Sequence, residues 1–363
     1  MKKGGSIRVV DGWSEIDALQ EVWNSFVARY GGTIEEPDVT ATHEWTKILS
    51  EVFNEPGKFV LMEEGGEVTG ILPLYRSAFR MHRVPCRRIS PLTELYAGRC
   101  AFLLKEVTAE SIETLFNAVT QAAPPWDIFM FTLVEGSGTE SLFLETARRH
   151  SFAFRKLSTQ ASPYIVLDRP WLEYLATLSK KFQSNLRYYR KKLEKAGNLV
   201  YKEYCQGSNG QEFLDAVLQI ERASWKESAG TSIAVHVYQQ KFYERLTSAA
   251  LAKGWLSGHL LELDGDPIAY VYGLIYNENF CDLKESYKLA FKDDSPGQVL
   301  KAFVMERLIE HQVRIYDYMG LCEPYKLRWT DRSYRRNQYV LYNKTIRGRA
   351  AQLLGRVLNG AGE

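Results

Sequence analysis

Cysteine is scarce in this chain: five residues in 363, Cys86, Cys100, Cys205, Cys281 and Cys322, lie far apart and none falls in a CxxC pair. A disulfide-stapled scaffold and a cysteine-built zinc site are excluded, and a reducing cytoplasm is expected. Histidine is equally sparse. His43, His82, His150, His236, His259 and His311 form neither an HxxxH nor an HExxH pattern, so no metal is expected. Net charge is nearly absent: 46 lysines and arginines face 44 aspartates and glutamates, a formal +2. That balance excludes nucleic-acid binding through overall charge while leaving room for local basic patches. No apolar run approaches the ~18 residues of a membrane-spanning helix, and Met1-Lys2-Lys3-Gly4-Gly5-Ser6 leads into Ile7-Arg8-Val9-Val10 without the apolar core of a signal peptide. A Gly-x-Ser-x-Gly elbow and a cysteine-protease signature are missing as well, so no covalent nucleophile is indicated. Cys281 and Cys322 read as small buried hydrophobes.

What is present is apolar and aromatic surface, 45% and 13% of residues, enough for substantial cores in a chain whose length suits about two domains. Helical and strand periodicities alternate throughout, without a Pro/Ser-rich linker, which predicts a mixed α/β protein. Trp13 to Tyr30 and Thr42 to Phe53 read as amphipathic helices. Lys58 to Glu64 and Val68 to Arg76 read as a hairpin turned at Gly65-Gly66, Ala109 to Ala122 as a helix stopped by Pro124-Pro125, and Trp126 to Val134 as a buried strand. The order then returns. A helix from Tyr238 to Lys253 precedes strands Trp255 to Leu263, Ile268 to Tyr276 and Asn279 to Tyr287, a helix from Ser295-Pro296-Gly297 to about His311, and a strand Arg314 to Met319. An aromatic-rich strand bearing an aspartate closes each copy, with Asp127 in the first and Asp317 in the second. This predicts two related lobes, residues 1–165 and 166–363.

Between the copies, residues 179–196 carry seven basic side chains and one acidic one. Phe182, Leu186, Tyr189 and Leu193 recur at spacings of four and three, which predicts a helix with one packed face, Lys180, Arg187, Arg190 and Lys191 outward, and a stop at Gly197. Such a face is either a solvated surface or a holder of an anionic ligand, the phosphates of a coenzyme or a nucleic-acid backbone.

Four patterns succeed one another in the second half. They are Asn185-Leu186-Arg187-Tyr188-Tyr189-Arg190-Lys191-Lys192-Leu193-Glu194-Lys195-Ala196-Gly197, then Glu221-Arg222-Ala223-Ser224-Trp225-Lys226, then Ser295-Pro296-Gly297-Gln298-Val299-Leu300, then Asp317-Tyr318-Met319-Gly320 with Tyr325-Lys326-Leu327-Arg328-Trp329. In this order they resemble the Gcn5-related N-acetyltransferase (GNAT) superfamily, in the branch of the FemAB-like aminoacyl transferases and the CelD-like proteins of cellulose biosynthesis. The resemblance implies a tandem GNAT-like (FemAB-like) fold of two related lobes, with the active cleft mainly in the second. It also implies an N-acyltransferase with no tightly bound cofactor and acyl-coenzyme A as co-substrate. Aminoacyl-tRNA is the alternative donor, and the acceptor is an amine on a small molecule or on a polysaccharide or peptide precursor. A non-catalytic accessory protein of polysaccharide or envelope assembly is the competing reading, because a fold does not secure a function.

Acyl transfer to an amine needs a neutral amine, a donor carbonyl at attack distance, and positive or hydrogen-bonding groups where the oxyanion forms. Ser295, Pro296, Gly297 and Gln298 at a helix start suit a phosphate or a carbonyl oxygen, and equally suit an ordinary helix cap. Here the chain departs from the family: a Gln/Arg-x-x-Gly-x-Gly/Ala loop is usual for coenzyme A, and only Gly297 is present. The resemblance places Lys326 near the donor carbonyl. Asp317 is expected to orient the amine or Lys326, or else to cap the loop before Gly320. Tyr287 would protonate the leaving group, and Glu285, on the same strand face, would accept the amine proton. Arg187, Arg190 and Lys191 are expected to hold donor phosphates, and Trp225, Lys226 and Trp329 to contact substrate.

Two features stay outside this scheme. Arg76, Arg80, Arg83, Arg87 and Arg88 with His82, interrupted by Pro85, read as a mobile basic loop. Lys344 to Leu358, with Arg347, Arg349 and Arg356 beside Leu353, Leu354, Val357 and Leu358, reads as a terminal helix docked on its domain or lying on a membrane surface.

Overall fold

The structure is a computed structural model that describes residues 6–29, 38–96, 102–122 and 125–360. Tyr30, Cys100 and Pro124 lie outside the described residues. The chain divides into two compact units, Met1–Gln160 with Arg335–Glu363, and Ala161–Tyr334.

The first unit opens with β1 (Ser6–Asp11), α1 (Gln20–Arg29) and α2 (His43–Phe53). Thr42 starts α2 by accepting a hydrogen bond from the Trp45 N–H, and Asn54, in the left-handed region, ends it. β2 (Lys58–Glu64), β3 (Glu67–Met81) and β4 (Val84–Pro91) form an antiparallel meander, with the two-residue β5 (Leu103–Leu104) against β3. α3 (Ala109–Asn117), β6 (Ile128–Val134), α4 (Gly138–Arg149) and β7 (Ala153–Val166) come next. The sheet order is β1-β2-β3-β4-β6, continued by a strand from the far end of the chain, β13 (Ser333–Tyr342). β13 pairs with β6 from Arg336 to Tyr342, and α11 (Ile346–Gly360) packs on β4. Residues 335–363 therefore belong to the first unit, whereas the sequence reading carried the second lobe through to residue 363. The alternating apolar residues of β13 carry no mark of which sheet they complete.

Arg76–Arg88 is not a mobile loop. It is the outer part of the β3–β4 hairpin, paired in register from Arg76↔Ile89 to Met81↔Val84. Phe79, Met81, Val84 and Cys86 alternate with the arginines and pack toward Ala351 of α11.

The second unit begins with α5 (Trp171–Thr177), α6 (Lys180–Ala196), β8 (Leu199–Tyr204), α7 (Gly210–Arg222), α8 (Trp225–Ser228) and α9 (Val237–Lys253). β9 (Leu256–Leu263), β10 (Asp266–Tyr276), β11 (Asn279–Tyr287), α10 (Pro296–Glu310) and β12 (Ile315–Asp317) complete it. Its sheet runs β7-β12-β11-β10-β9-β8. As the four-three spacing predicts, Phe182, Leu186 and Leu193 of α6 enter the same core as Val299, Leu300, Val304 and Leu308 of α10. Gly197 ends α6 with an extended backbone rather than a left-handed cap; a side chain there would meet the Asp264 carboxylate, which accepts the Asn198 N–H at 2.7 Å.

Candidate acyl-transfer site

β11 and β12 are parallel neighbours over only three residue pairs, Asn279↔Ile315 to Cys281↔Asp317. β12 then ends, while β11 continues to Tyr287, so the two strands part and leave the 282–287 edge of β11 without its β12 partner. α10 begins beside this opening. A Cβ placed on Gly297 would lie 3.5 Å from the Tyr287 ring, which sets Tyr287 against the first turn of the helix. On the other side runs the 318–329 segment, fastened to that same turn by the Trp329 indole N–H, which donates to Gln298 Oε1 at 2.8 Å.

The pairing of β11 with β10 shifts between Tyr272↔Lys284 and Gly273↔Asp282, so Leu283 is an extra residue bulged out of β11. Strict alternation would put Asp282 and Glu285 on opposite faces; the bulge brings both toward α10. There they meet Lys301, one turn along from Gly297 and with no exposed surface. Its Nζ lies 2.7 Å from Glu285 Oε2 and 3.6 Å from Asp282 Oδ2. The Tyr316 hydroxyl donates to Asp282 at 2.6 Å, and the Tyr318 ring lies 4.2 Å from the Lys301 ammonium.

Lys326 enters this cluster from the 318–329 segment. It is buried, its Nζ is 5.6 Å from the centres of both the Tyr318 and Tyr325 rings, and Lys301 packs on the same two rings. The Lys326 ammonium donates to the Leu321 carbonyl at 3.1 Å and pairs with Glu323 at 3.0 Å.

The two acids of the cluster shift in opposite directions. Burial, with the Glu285 carboxylate beside it, pushes Asp282 up to about 6, and Lys301 only partly opposes this. Burial would raise Glu285 too, but the Lys301 ammonium and the Tyr325 hydroxyl outweigh it and hold Glu285 below the usual carboxylate range. Burial keeps the Tyr316, Tyr318 and Tyr325 hydroxyls protonated. The opening thus holds two lysines, one firmly ionised carboxylate and one carboxylate that takes up a proton near neutrality.

The helix tip offers less than its sequence suggests. Ser295 has a left-handed backbone, its side chain makes no capping bond, and its carbonyl accepts the N–H groups of both Gln298 and Val299. Pro296 has no N–H, so Gly297 supplies the tip's remaining amide. Asp293 and Asp294 precede the tip, and Lys192 of α6 pairs with Asp294.

Other sequence-predicted residues fall elsewhere. Of its two expected roles Asp317 takes that of loop cap: its carboxylate accepts the Met319 N–H at 2.7 Å and the Tyr334 hydroxyl at 2.9 Å. Trp329 is buried beside Phe182 and Trp171, a core side chain with no surface for substrate. Ser224 caps α8, accepting the Lys226 N–H. Lys226 donates to the Glu285 main-chain carbonyl and lies 3.9 Å from buried Glu221, so its ammonium is committed to the fold, while Trp225 is exposed. On α6, Arg187 donates to the Gln183 carbonyl at 3.4 Å, and Arg190 pairs with Glu194 at 2.9 Å while covering the Phe303 ring. Lys191 is exposed. Among the described residues no group of three or more His, Cys, Asp and Glu side chains could hold a metal.

Residues 180–327 match the family described as acetyltransferase (GNAT) domain. Among solved structures the chain is similar to FemX, with a TM-score of 0.65 at 14% identity over 92% of this chain and 98% of that one. It is also similar to the C-terminal domain of a putative lysylphosphatidylglycerol synthetase from Agrobacterium fabrum, with a TM-score of 0.55 at 12% identity over 94% and 96%. A tandem GNAT protein from the clavulanic acid biosynthesis pathway matches with a TM-score of 0.51 at 12% identity over 93% and 98%. At these identities what is shared is the fold: mixed α/β, along the full length of FemX and of a tandem GNAT protein. No curated protein sequence matches the chain.

Proposed function

We propose, for a chain whose residues 180–327 match the GNAT-domain family, that the opening between β11 and β12 transfers an acyl group from an activated carboxyl derivative to an amine. The observation that carries this reading is the meeting of Lys326, Lys301, Glu285 and Asp282 where a parallel strand pair parts beside Gly297. A donor carbonyl laid in that opening has the Gly297 N–H and the Lys326 ammonium to bear the oxyanion. Asp282, whose affinity for a proton is raised toward neutrality, takes the proton released by the attacking amine. Tyr287, against the helix tip, or water protonates the departing thiolate or alkoxide. Glu285 stays ionised and keeps Lys301 in place.

Acyl-coenzyme A is the first donor to test. Aminoacyl-tRNA is favoured as the second by one feature: the tip has a single spare amide and two preceding aspartates, a poor seat for a pyrophosphate, while the basic face of α6 offers Arg187 and Lys191 to a longer polyanion. The CelD-like resemblance directs the search for the acceptor toward amines of polysaccharide or envelope precursors. The test is a thermal-shift screen of coenzyme A, acetyl-coenzyme A and aminoacyl-tRNA, then turnover with the ligand that stabilises. Lys326→Met is expected to lower kcat/KM by about 100- to 1,000-fold, the range for loss of one oxyanion donor. No stabilisation by any donor would leave the accessory-protein reading.

A further inference from the structure

The C-terminal helix α11 is amphipathic in the opposite sense to a helix that merely docks on its own unit. Its inward stripe is small: Gly348, Ala351 and Gly355 are buried, a Cβ on Gly348 would run into the main-chain oxygens of Asn343 and Asp127, and one on Gly355 would meet the His82 ring. Its outward stripe is large and apolar. Ile346 is 89% exposed, Leu353 59% and Val357 68%. At about 3.6 residues per turn, Ile346, Ala350, Leu353 and Val357 stack in one line, at i, i+4, i+7 and i+11, across the helix from the glycines. A helix needing only its own unit would bury these side chains and expose the small ones.

The charge around the stripe has one sign. Arg347 flanks it on one side, Arg349 and Arg356 on the other, all exposed, and no acidic residue occurs between positions 344 and 357. The β3–β4 hairpin, whose His82 touches Gly355, adds exposed Arg80 and Arg83 and has no acid between 76 and 88.

We propose that α11, with the tip of the β3–β4 hairpin, docks this protein on an anionic phospholipid surface. The helix lies in the headgroup plane, Ile346, Leu353 and Val357 enter the acyl boundary, and the arginines engage phosphates. The docking is peripheral, since no helix among the described residues is long and apolar enough to cross a membrane. Charge selects lipid over a second copy of the chain: a two-fold pairing of the stripe would set three arginines against three arginines with no acid between them. This inference is independent of the acyl-transfer reading.

The test is cosedimentation of the full chain with vesicles of phosphatidylcholine alone or mixed equally with phosphatidylglycerol, at low and high salt. Binding to the mixed vesicles, weakened by salt and near absent on phosphatidylcholine, is expected. The double variant Leu353→Glu, Val357→Glu should lose at least about tenfold in partitioning while keeping its Tm and circular dichroism, because both side chains already face water. The triple variant Arg347→Gln, Arg349→Gln, Arg356→Gln should lose the preference for phosphatidylglycerol. A wild-type chain that ignores anionic vesicles, or a double variant that binds them as wild type does, overturns the proposal. So does a lipid-free dimer, seen by sedimentation equilibrium, that the double variant dissolves, since the stripe then belongs to a second copy.

Discussion

Lys301 is the residue on which the second unit's polar cluster turns, and it is also the one that sequence reasoning passed over. It lies in α10, whose inward and outward positions are both largely apolar, so a single lysine there reads as a surface position. Instead it is fully buried and neutralises Glu285 and part of Asp282. Lys301→Met keeps the stem but strands the buried Asp282 and half-buried Glu285 carboxylates, and should cost about 3 kcal/mol at pH 8, the low end of the range for breaking a buried pair. Part of that loss should be recovered on acidification. Asp282 has a folded-state value of about 6, above the ordinary 3.8, so its contribution is full below 3.8 and is lost as pH rises through about 6. Glu285 behaves in the opposite way: its value is depressed, and its contribution is lost as pH falls through that depressed value. Tm measured from pH 2 to 8 checks both signs. Asp282→Asn should raise Tm relative to wild type above pH 6 and leave it unmoved near pH 4. An equal shift at both ends would show that Asp282 does not titrate as its surroundings require.

At the scale of elements, the sequence showed the segments whose apolar period is unbroken and missed those whose pairing depends on distant partners. α2, the 58–64 strand, α6 and α10 were legible because spacing, caps and breakers agree within each segment. β7 was not: its 14 residues include Arg155, Lys156, Ser158, Thr159 and Gln160, and only the sheet order makes them a strand. The Leu283 bulge was equally hidden, since neither glycine nor proline marks it. Glu285 and Tyr287 were legible as strand neighbours, yet the presence of Asp282 beside Glu285 depends on the bulge alone. α11 shows how tertiary packing reverses a local rule. Gly→Ala inside a helix ordinarily stabilises by ~1 kcal/mol. At Gly348 the new methyl would meet main-chain oxygens of Asn343 and Asp127, which cannot swing away as a side chain can. Gly348→Ala should therefore lower stability by about 1–3 kcal/mol in urea unfolding, the cost of overpacking. A rise in the midpoint would mean that α11 is not seated against Asn343 and Asp127 at Gly348.

Across the whole molecule, the repeat read from the sequence has a counterpart in what each unit does with a parallel strand pair. In the first unit β4 and β6 are parallel only at Arg88↔Ile128 and Ile89↔Phe129. In the second, β11 and β12 are parallel over three pairs and then part. The aspartate expected on each closing strand is a fastening in both units. Asp127 is held by Arg87 and Thr345, which outweigh its burial and lower it to about 2, while Asp317 is held by Met319 and Tyr334. Beyond the paired residues the units differ. In the first, Glu94 reaches Thr132 with a hydrogen bond, tying the chain after β4 to β6, and burial raises its carboxyl toward the neutral form. In the second unit Lys301 and Lys326 gather beside the parallel strand pair instead. One donor per chain is therefore expected, held in the second unit, although the fold recurs in both. Titration calorimetry with whichever donor stabilises the protein should give a stoichiometry near one, and Lys326→Met should weaken that single event. Two equivalent sites would place a second donor in the first unit and end the one-donor expectation, whereas one site that Lys326→Met leaves untouched would transfer the donor to the first unit and remove the basis for the acyl-transfer reading of β11 and β12.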